Sequence, residues 1–438
     1  MDSPPQAPPP AAEYLRLVGI AALVGIPAAL AAALFLGLIH GLEGWLWDEL
    51  PASLGYAAPP WFFVLGLPVI GAMLVVLARA FLPGDGGHRP LEGLSAAPTT
   101  PSFVPGVVLA AVGTLAFGAV LGPEMPVIAL GSAVGVIAHR FARLGGQEGF
   151  VLSSAGAFSA ISALFGGPLV AGMLLVESGL SAGSRLIPAL LPGLVAAAIG
   201  YTIFVGFGSW GGLEAPGLIV PNLPPYEGLH PGDLAMGIAA GVASVLVLTG
   251  IRRLAVRIDG LQARLGMPAL LLAGGFGVGA LALAAQALGA DSQDVLFSGQ
   301  ASIGVAVDAT SISVLLILLV AKGLAYAVSL GSGFRGGPIF PAIFIGVALA
   351  SLPVAAFGTS PTLAVAIGAA AGMAAQTRLL LSPLLLASLL VGPTATDTIP
   401  AAVLASATAW IVATALDRRG QATEPPARPE GLRASGAR

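Results

Sequence analysis

GPEMP at residues 122–126 decides the fold of this chain, because it interrupts a long apolar stretch. That stretch runs over residues 103–137, and Glu124 is its only charged residue. A carboxylate at membrane depth is costly unless it is neutralised, paired or turned towards a water-filled cavity. Glycine and proline on both sides indicate that a helix breaks or begins here. A helix N-terminus attracts anions, so the pattern predicts an ion pathway in which Glu124 substitutes for the transported ion.

The composition of the whole chain is that of a membrane protein. Of its 438 residues, 56% are hydrophobic and 9% are charged, whereas soluble domains carry about 25% charged residues. We therefore predict an all-α polytopic membrane protein. The 61 glycines and 36 prolines favour many tilted, broken and re-entrant helices over a regular bundle.

Several classes of protein are excluded or disfavoured by the residue types that are missing. The chain has no cysteine and four scattered histidines, which argues against disulfides, thiol catalysis and a dedicated metal centre. It also lacks a His-Glu metal motif and a serine nucleophile with a plausible base, so we expect no enzyme and no cofactor. The arginine-rich segments are interpreted as solvated charge, and nucleic acid is not expected as a partner.

The hydropathy pattern divides the chain into two membrane repeats. Arginines at residues 252–264 and in the C-terminal tail favour the cytoplasmic side for both termini of a multi-pass protein of the cell (inner or plasma) membrane. Since the sequence ends at Arg438, no pair of soluble regulatory domains is expected after the second repeat. The predicted units are a disordered arm (1–13), the first membrane repeat (14–206), a linker (207–230), the second membrane repeat (231–416) and a basic, proline-rich tail (417–438).

Breaks of similar composition occur in both repeats. GPEMP at 122–126 corresponds to GGPIFP at 336–341, and FGGPL at 165–169 corresponds to RLLLSPL at 378–384. Paired breaks at corresponding places indicate an inverted-repeat fold with its binding site near the middle of the membrane.

Four motifs resemble those of the CLC family of chloride channels and proton–chloride antiporters. LGPEMPVIALG at 121–131 is similar to the family's G-[RK]-E-G-P-x-V-x-x-G motif. The stretch from Lys322 through GGPIFP at 336–341 is similar to its K…S-x-G-S-G…G-G-x-F-x-P segment. FGGPLVAGMLLVE at 165–177 and GMAAQTR at 372–378, the latter followed by Pro383-Leu384, resemble two further segments. The order and spacing agree over residues 14–416.

The resemblance implies a homodimer with one pore in each subunit and helix N-termini directed at a central anion. Chloride or another small anion is the implied partner, together with membrane lipid. Glu124 matches the gating glutamate, whose carboxylate occupies an anion site and swings away on protonation. The implied anion-binding residues are Asp85, Gly86, Gly87, Gly122, Pro123, Met125, Gly337, Ile339 and Phe340.

The CLC family has a further motif, G-S-G-x-P, whose serine binds the central anion, and this chain departs from that motif at Asp85. GDGGHRP at 84–90 places Asp85 near the family's anion-binding serine, and a charged carboxylate would repel chloride. Either Asp85 is turned away, or it is protonated, or the backbone amides of Gly86 and Gly87 build the site. SAAP at 95–98 keeps a serine but is poorly spaced from Glu124, and an exposed turn with Asp85 as a helix cap is a further possibility.

Other departures concern the proton route and the remaining anion ligands. Ser178 stands where the family has an internal proton-transfer glutamate, which favours uncoupled anion flow or a route through Glu177. Glu177 and Ser178 are thus the proton-path candidates, although Glu177 serves equally well as a structural cap. Pro338 has no N–H, so the donors of that motif shift to Ile339 and Phe340. Residues 397–420 contain no tyrosine to match the family's pore tyrosine.

The predicted function is transmembrane anion (chloride) transport through a pore in each subunit, gated by Glu124, with proton coupling absent or modified. The alternative is a proton- or cation-coupled transporter of another ion on the same scaffold, suggested by the two carboxylates Asp85 and Glu124. Lys322 either occupies a family position or snorkels to the interface. Arg335 is expected to raise the local positive potential for anions.

Overall fold

The computed structural model describes residues 11–94, 97–178, 186–206, 209, 211–213 and 218–423, and these form helices joined by turns and loops. The helices are α1 (Ala11–Gly44), α2 (Leu50–Ser53), α3 (Trp61–Phe81), α4 (Val104–Leu115), α5 (Glu124–Ala142), α6 (Gly146–Leu164), α7 (Pro168–Ser178), α8 (Leu186–Val205), α9 (Pro231–Asp259), α10 (Gln262–Leu265), α11 (Met267–Ala287), α12 (Ser292–Val295), α13 (Ile303–Asp308), α14 (Ile312–Ser332), α15 (Ile339–Phe357), α16 (Pro361–Thr377), α17 (Leu381–Val391) and α18 (Ile399–Thr423).

The helices differ widely in length, as the glycine and proline content predicts. Nine helical stretches in the described ranges are long and apolar enough to cross a membrane, and they contain α1, α3, α5, α8, α9, α11, α14, α15 and α18. By contrast, α4 has 12 residues and α7 and α17 have 11 each, fewer than the ~20 that span the hydrocarbon core. The prediction of an all-α polytopic membrane protein is confirmed.

Helices α5 and α15 are equivalent elements of an inverted repeat. Each has 19 residues, and each begins directly after a Gly-Pro pair, Gly122-Pro123 or Gly337-Pro338. The two glycines form an antiparallel bridge. The N–H of Gly122 donates to Gly337 O at 2.7 Å, and the N–H of Gly337 donates to Gly122 O at 2.6 Å. The paired breaks predicted from the sequence therefore meet in space.

The ends of the helices lie close to the predicted domain boundaries. Helix α8 ends at Val205 and α9 begins at Pro231, so the predicted linker 207–230 falls between them. Helix α1 begins at Ala11, inside the predicted arm, because two alanines and Glu13 in the first turn favour a helix start. Helix α18 continues to Thr423, past the predicted start of the tail. The rest of the arm and tail lies outside the described residues.

Glycines allow neighbouring helices to approach backbone to backbone in both repeats. Between α5 and α6, a Cβ on Gly156 would overlap the carbonyl oxygen of Gly131. Between α15 and α16, a Cβ on Gly346 would overlap the carbonyl oxygen of Gly368. Small residues of this kind drive helix association in membranes, where van der Waals packing replaces the hydrophobic effect. These contacts hold α5 and α15 in place and so position their N-termini.

We expect Gly156→Ala to destabilise the protein, because the new methyl group would push α5 and α6 apart. Overpacking of this kind costs about 1–3 kcal/mol, so the thermal unfolding midpoint in detergent should fall by several degrees. Gly37→Ala in α1 is the matched control, because its Cβ would meet no atom within 4 Å and alanine is the better helix former. Equal midpoints for the two variants would contradict the close contact.

Candidate anion site

The site lies where the two Gly-Pro pairs bring the N-termini of α5 and α15 together. Glu124 is the first residue of α5 and Ile339 the first residue of α15. Both residues are fully buried. The unpaired N–H groups of two helix starts therefore point into one small region, which carries a positive potential from both dipoles.

The side chain of Glu124 fills this region. Its Oε1 accepts a hydrogen bond from the N–H of Phe340 at 2.8 Å. The amides of Ile339 and of Glu124 itself also stabilise the carboxylate. Oε2 is buried and has no hydrogen-bond partner among the described residues. The carboxylate thus places a negative charge between two helix N-termini, where their dipoles favour one.

Glycine is required at both bridging positions because the carboxylate lies against them. A Cβ on Gly337 would overlap Oε2 of Glu124, and a Cβ on Gly122 would lie within 2.6 Å of three carboxyl atoms. Pro123 and Pro338 precede the helices and donate no N–H. The amides around the carboxylate are accordingly those of Phe340, Glu124 itself and Ile339.

Two buried hydroxyl groups support this junction at equivalent positions of the repeats. Ser329 Oγ accepts from the N–H of Val120 at 2.9 Å, and Thr114 Oγ1 accepts from the N–H of Arg335 at 3.1 Å. Thr114 and Ser329 stand equally far before Gly122 and Gly337 in the sequence. Each repeat thus uses its hydroxyl to hold the loop of the other. The sequence analysis missed this pair, although their equal spacing from the two glycines is visible in the sequence.

Tyr326 is a further residue of the site that the sequence analysis missed. It is fully buried in α14, and its hydroxyl donates to Pro338 O at 2.9 Å. It therefore fixes the turn that leads into α15. Its place in α14 differs from that of the family's pore tyrosine, which the sequence pattern places within residues 397–420.

A cavity of about 340 Å³ lies beside the start of α5. It is bordered by Leu121 and Pro123, the residues just before Glu124, and by the polar side chains of His40, Glu43 and Gln300.

An aromatic contact joins the two repeats beside the junction. Phe340 of the second repeat stacks on Phe165 of the first, with ring centroids 5.6 Å apart. The FGGPL segment at 165–169 therefore packs against the first turn of α15.

Asp85 lies outside the junction and faces two arginines. Its carboxylate accepts hydrogen bonds from Arg79 Nε at 2.8 Å and from Arg335 Nη2 at 2.5 Å. Burial raises the pKa of the Asp85 carboxyl, but hydrogen bonds and charges from Arg79 and Arg335 outweigh it and keep the pKa below its ordinary value. Asp85 is therefore held at this loop as the ion-pair partner of Arg79 and Arg335. Arg79 was not singled out in the sequence.

Glu177 caps the N-terminus of α17. Its carboxylate accepts hydrogen bonds from the N–H groups of Leu380, Leu381 and Ser382 at 2.7–3.0 Å, and from Ser382 Oγ at 2.6 Å. Burial raises the pKa of this carboxyl, but these hydrogen bonds outweigh it and lower the pKa from its ordinary value. Ser178, at the end of α7, lies next to it and donates to Leu175 O at 3.4 Å.

Lys322 does not snorkel to an interface. It is fully buried, and its Nζ donates to the carbonyls of Asp294, Val295 and Leu296 at 2.6–3.3 Å. The ammonium group also lies 4.8 Å from the centroid of the Phe344 ring. Lys322 therefore ties α12 to α14 and α15.

The predicted site residues thus fall into three places. Asp85, Gly86 and Gly87 belong to the arginine-paired loop, and Glu177 and Ser178 end α7, where Glu177 contacts the start of α17. The residues at the junction are Gly122, Pro123, Glu124, Met125, Gly337, Ile339 and Phe340.

Comparison with known proteins agrees with this architecture. The model of the family described as "Voltage gated chloride channel" matches residues 90–414. The chain belongs to the CLC family of voltage-gated chloride channels. The resemblance seen in GPEMP and GGPIFP is confirmed, and the members of this family are channels and transporters rather than enzymes.

Curated relatives of this CLC chain carry the name "Putative ion-transport protein YfeO". The protein from Salmonella paratyphi A is 33% identical over 363 residues, covering 78% of this chain and 81% of the relative. The protein from Escherichia fergusonii is 32% identical over 361 residues, covering 78% of this chain and 79% of the relative.

Two solved structures share the fold of this CLC chain. A slow cyanobacterial Cl⁻/H⁺ antiporter matches with a TM-score of 0.72 and 19% identity, covering 93% of this chain and 99% of that one. A CLC-type fluoride/proton antiporter matches with a TM-score of 0.71 and 21% identity, covering 93% of this chain and 98% of that one. The predicted CLC-type inverted-repeat fold is confirmed.

The capping role of Glu177 predicts a pH-dependent effect on stability. Because its pKa in the folded protein is below the ordinary 4.5, its stabilisation is complete above pH 4.5 and is lost as pH falls through the lowered value. Glu177→Gln should therefore lower the thermal unfolding midpoint at neutral pH, and the difference from the wild type should shrink below about pH 4. The exposed Glu227→Gln is the control. A pH-independent difference would contradict the carboxylate cap.

Proposed function

We propose that this chain transports a small anion, chloride in the first place, through a pore in each subunit, with Glu124 as the gate and proton coupling absent or modified. The observation that carries the proposal is the position of the Glu124 carboxylate. It takes up amide donors of α15 that a transported anion would otherwise use. An anion can enter only when the side chain leaves, and protonation favours that step because it removes the negative charge.

Several features support an anion pathway at this point. Two helix N-termini converge there, and the first amides of α15 are directed at a ligand. The cavity bordered by Leu121 and Pro123 provides space beside the start of α5. Oε2 of Glu124 has no hydrogen-bond partner within the described part of the chain, so the carboxylate is held on one side only and its release costs less.

The surroundings of Glu177 favour uncoupled or modified transport. The position after Glu177 is Ser178, which has no proton to exchange near neutral pH. Glu177 itself is committed to the N-terminus of α17 through four hydrogen bonds. Protonating it would break these bonds, which disfavours Glu177 as a proton relay.

The alternative function, transport of a cation or another ion with coupling, depends on Asp85 as a second carboxylate of the site. Both Arg79 and Arg335 contact Asp85, so its surroundings carry an excess of positive charge. That arrangement opposes a cation and favours the anion hypothesis. Titration calorimetry with sodium and with halides separates the two functions. A heat of sodium binding in the wild type that disappears in Asp85→Asn would support the alternative.

We further propose that the protein acts as a homodimer in the cell (inner or plasma) membrane with both termini in the cytoplasm. Homodimers are implied by the CLC family. The arginines of α9 and α10, at residues 252–264, support the orientation. Arg89 pairs with Asp259 near the end of α9, so the Asp85 loop lies on this same side.

Chloride efflux from proteoliposomes tests the proposed function directly. We expect chloride-loaded liposomes to release chloride passively, without a sustained uphill movement of protons when a chloride gradient is imposed. Chloride efflux is followed with an electrode and proton movement with a pH electrode. Absence of anion flux under every gradient would refute the function, and protons driven uphill by chloride would refute the uncoupled form.

Glu124→Gln should open the pathway, because the amide keeps the shape of the side chain and removes its charge. We expect chloride efflux several-fold faster than in the wild type, with the rise of flux at acidic pH abolished. Glu148→Gln is the matched control, since Glu148 also lies in the first turn of a helix but bonds to Gly145 N at 2.6 Å, outside the junction. Unchanged flux and pH response in Glu124→Gln would contradict the gate.

Gly337→Ala reaches the same gate without removing the carboxyl group. Its Cβ would overlap Oε2 of Glu124, so the side chain must leave the site and flux should rise. In the double variant Glu124→Gln/Gly337→Ala the two effects should not add, because both act on one carboxylate. Additive effects on chloride efflux would show that Gly337→Ala acts elsewhere.

A further inference from the structure

The last turns of α1 present one face to the cavity beside the start of α5. Leu36, Ile39, His40 and Glu43 all border this cavity, and their spacing along the sequence places them in a single stripe on the helix. The stripe is apolar at Leu36 and Ile39 and polar at His40 and Glu43. Shortly after it the chain widens into a π-helical segment, Trp45–Glu49, a geometry that occurs frequently at functional sites.

The remaining walls of the cavity are mostly apolar. Leu121 and Pro123 border it from the loop before α5, and Leu164 borders it from the end of α6. The loop that follows α12 adds the polar side chains of Ser298 and Gln300. Its volume of about 340 Å³ suits a small molecule, because small-molecule sites combine apolar walls with a few well-placed polar groups.

Contacts between distant segments hold these walls in place. Trp47, in the π-helical segment, donates from Nε1 to Ala116 O at 3.0 Å. It also meets Phe297 edge to face, with ring centroids 5.2 Å apart. The N–H of Phe297 donates to Gly118 O at 3.3 Å. The cavity is therefore preformed, which reduces the entropy lost when a ligand binds.

Glu43 brings an unpaired carboxyl group to this cavity. It makes no hydrogen bond and no salt bridge with the part of the chain that the structure describes. Lys322 acts on both Glu43 and Asp294 through its charge, but its ammonium group uses its three donors on the carbonyls of residues 294–296. Asp48 adds a further negative charge near Glu43. The surroundings of Glu43 thus carry an excess of negative charge and offer it no donor.

This excess determines the charge of a suitable ligand. Chloride is repelled by a carboxylate. A metal ion needs several ligands, and the described ranges hold no group of three or more His, Cys, Asp or Glu suited to one. A proton would neutralise Glu43 but would use none of the apolar wall. An ammonium group on an apolar body would satisfy both the carboxylate and the wall.

We propose that this cavity binds a small organic cation, whose ammonium group donates to Glu43 and whose apolar body packs against Leu121 and Pro123. These two residues flank Gly122, which bonds to Gly337. An occupant beside them restricts the loop that carries this bridge and leads into α5, so it slows chloride flux. This effect on flux rests on the proposed function, whereas the binding itself does not.

Benzylammonium is a suitable probe, because it combines one ammonium group with one apolar ring. Titration calorimetry with the purified full-length protein in detergent should show saturable binding. In Glu43→Gln this binding should weaken about ten- to hundredfold, because a charge-assisted hydrogen bond is lost. Benzyl alcohol, which lacks the charge, and methylammonium, which lacks the ring, should each bind at least about tenfold more weakly than benzylammonium.

Two further variants keep the calorimetry decisive, and the unfolding midpoint in detergent shows that each is folded. Glu49→Gln is the matched control, since Glu49 is exposed and does not border the cavity; benzylammonium binding should stay within about twofold of the wild type. Gly304 borders the cavity, and a Cβ there would meet no atom within 4 Å. Gly304→Leu should therefore fill the cavity and weaken binding although Glu43 remains. Absence of binding by the wild type, or equal binding in Glu43→Gln or Gly304→Leu, would overturn the proposal.

Chloride efflux separates this site from the proposed function. In proteoliposomes with saturating benzylammonium on both sides, efflux should fall severalfold in the wild type and stay unchanged in Glu43→Gln. Unchanged efflux in the wild type would overturn the effect on the loop before α5. If chloride efflux is absent under every gradient while benzylammonium binding still depends on Glu43, the site stands and the proposed transport of chloride is refuted.

Discussion

The pair of hydrogen bonds between Gly122 and Gly337 is the contact on which the rest of the structure depends. It joins two loops from opposite repeats and sets the starts of α5 and α15 against each other. A side chain on either residue would displace the Glu124 carboxylate, which packs on both. The close approach of two backbones creates a positive potential that no arrangement of surface charges would produce at this depth.

The surrounding helices serve to hold these two loops. Glycine contacts between α5 and α6 and between α15 and α16 press the helices together, and Ser329 and Thr114 each hold the loop of the other repeat. Tyr326 fixes the carbonyl of Pro338. The same construction therefore appears twice with opposite orientation. An inverted repeat places both helix N-termini at one point because its two halves enter the membrane from opposite sides.

Acidic side chains in this protein acquire different roles from their surroundings. The Glu124 carboxylate accepts a hydrogen bond from the first turn of α15, whereas the Glu177 carboxylate caps the start of α17. Asp85 is neutralised by two arginines. The motif positions alone suggested a pore ligand at Asp85 and a proton acceptor at Glu177. Their bonding partners distinguish these roles. The start of α17 is about 200 residues from Glu177 in the sequence. Arg79 is only six residues from Asp85 but belongs to no motif.

The sequence by itself determined the fold class, the repeat and the place of the junction. Low charge content, Gly-Pro breaks and the isolated Glu124 are local properties, and burial in lipid leaves few ways to satisfy them. Only the tertiary structure decided where each carboxylate points and that Lys322 is buried beneath three carbonyls. Those outcomes depend on contacts between residues far apart in the chain, whose geometry is set by helix packing rather than by spacing along the sequence.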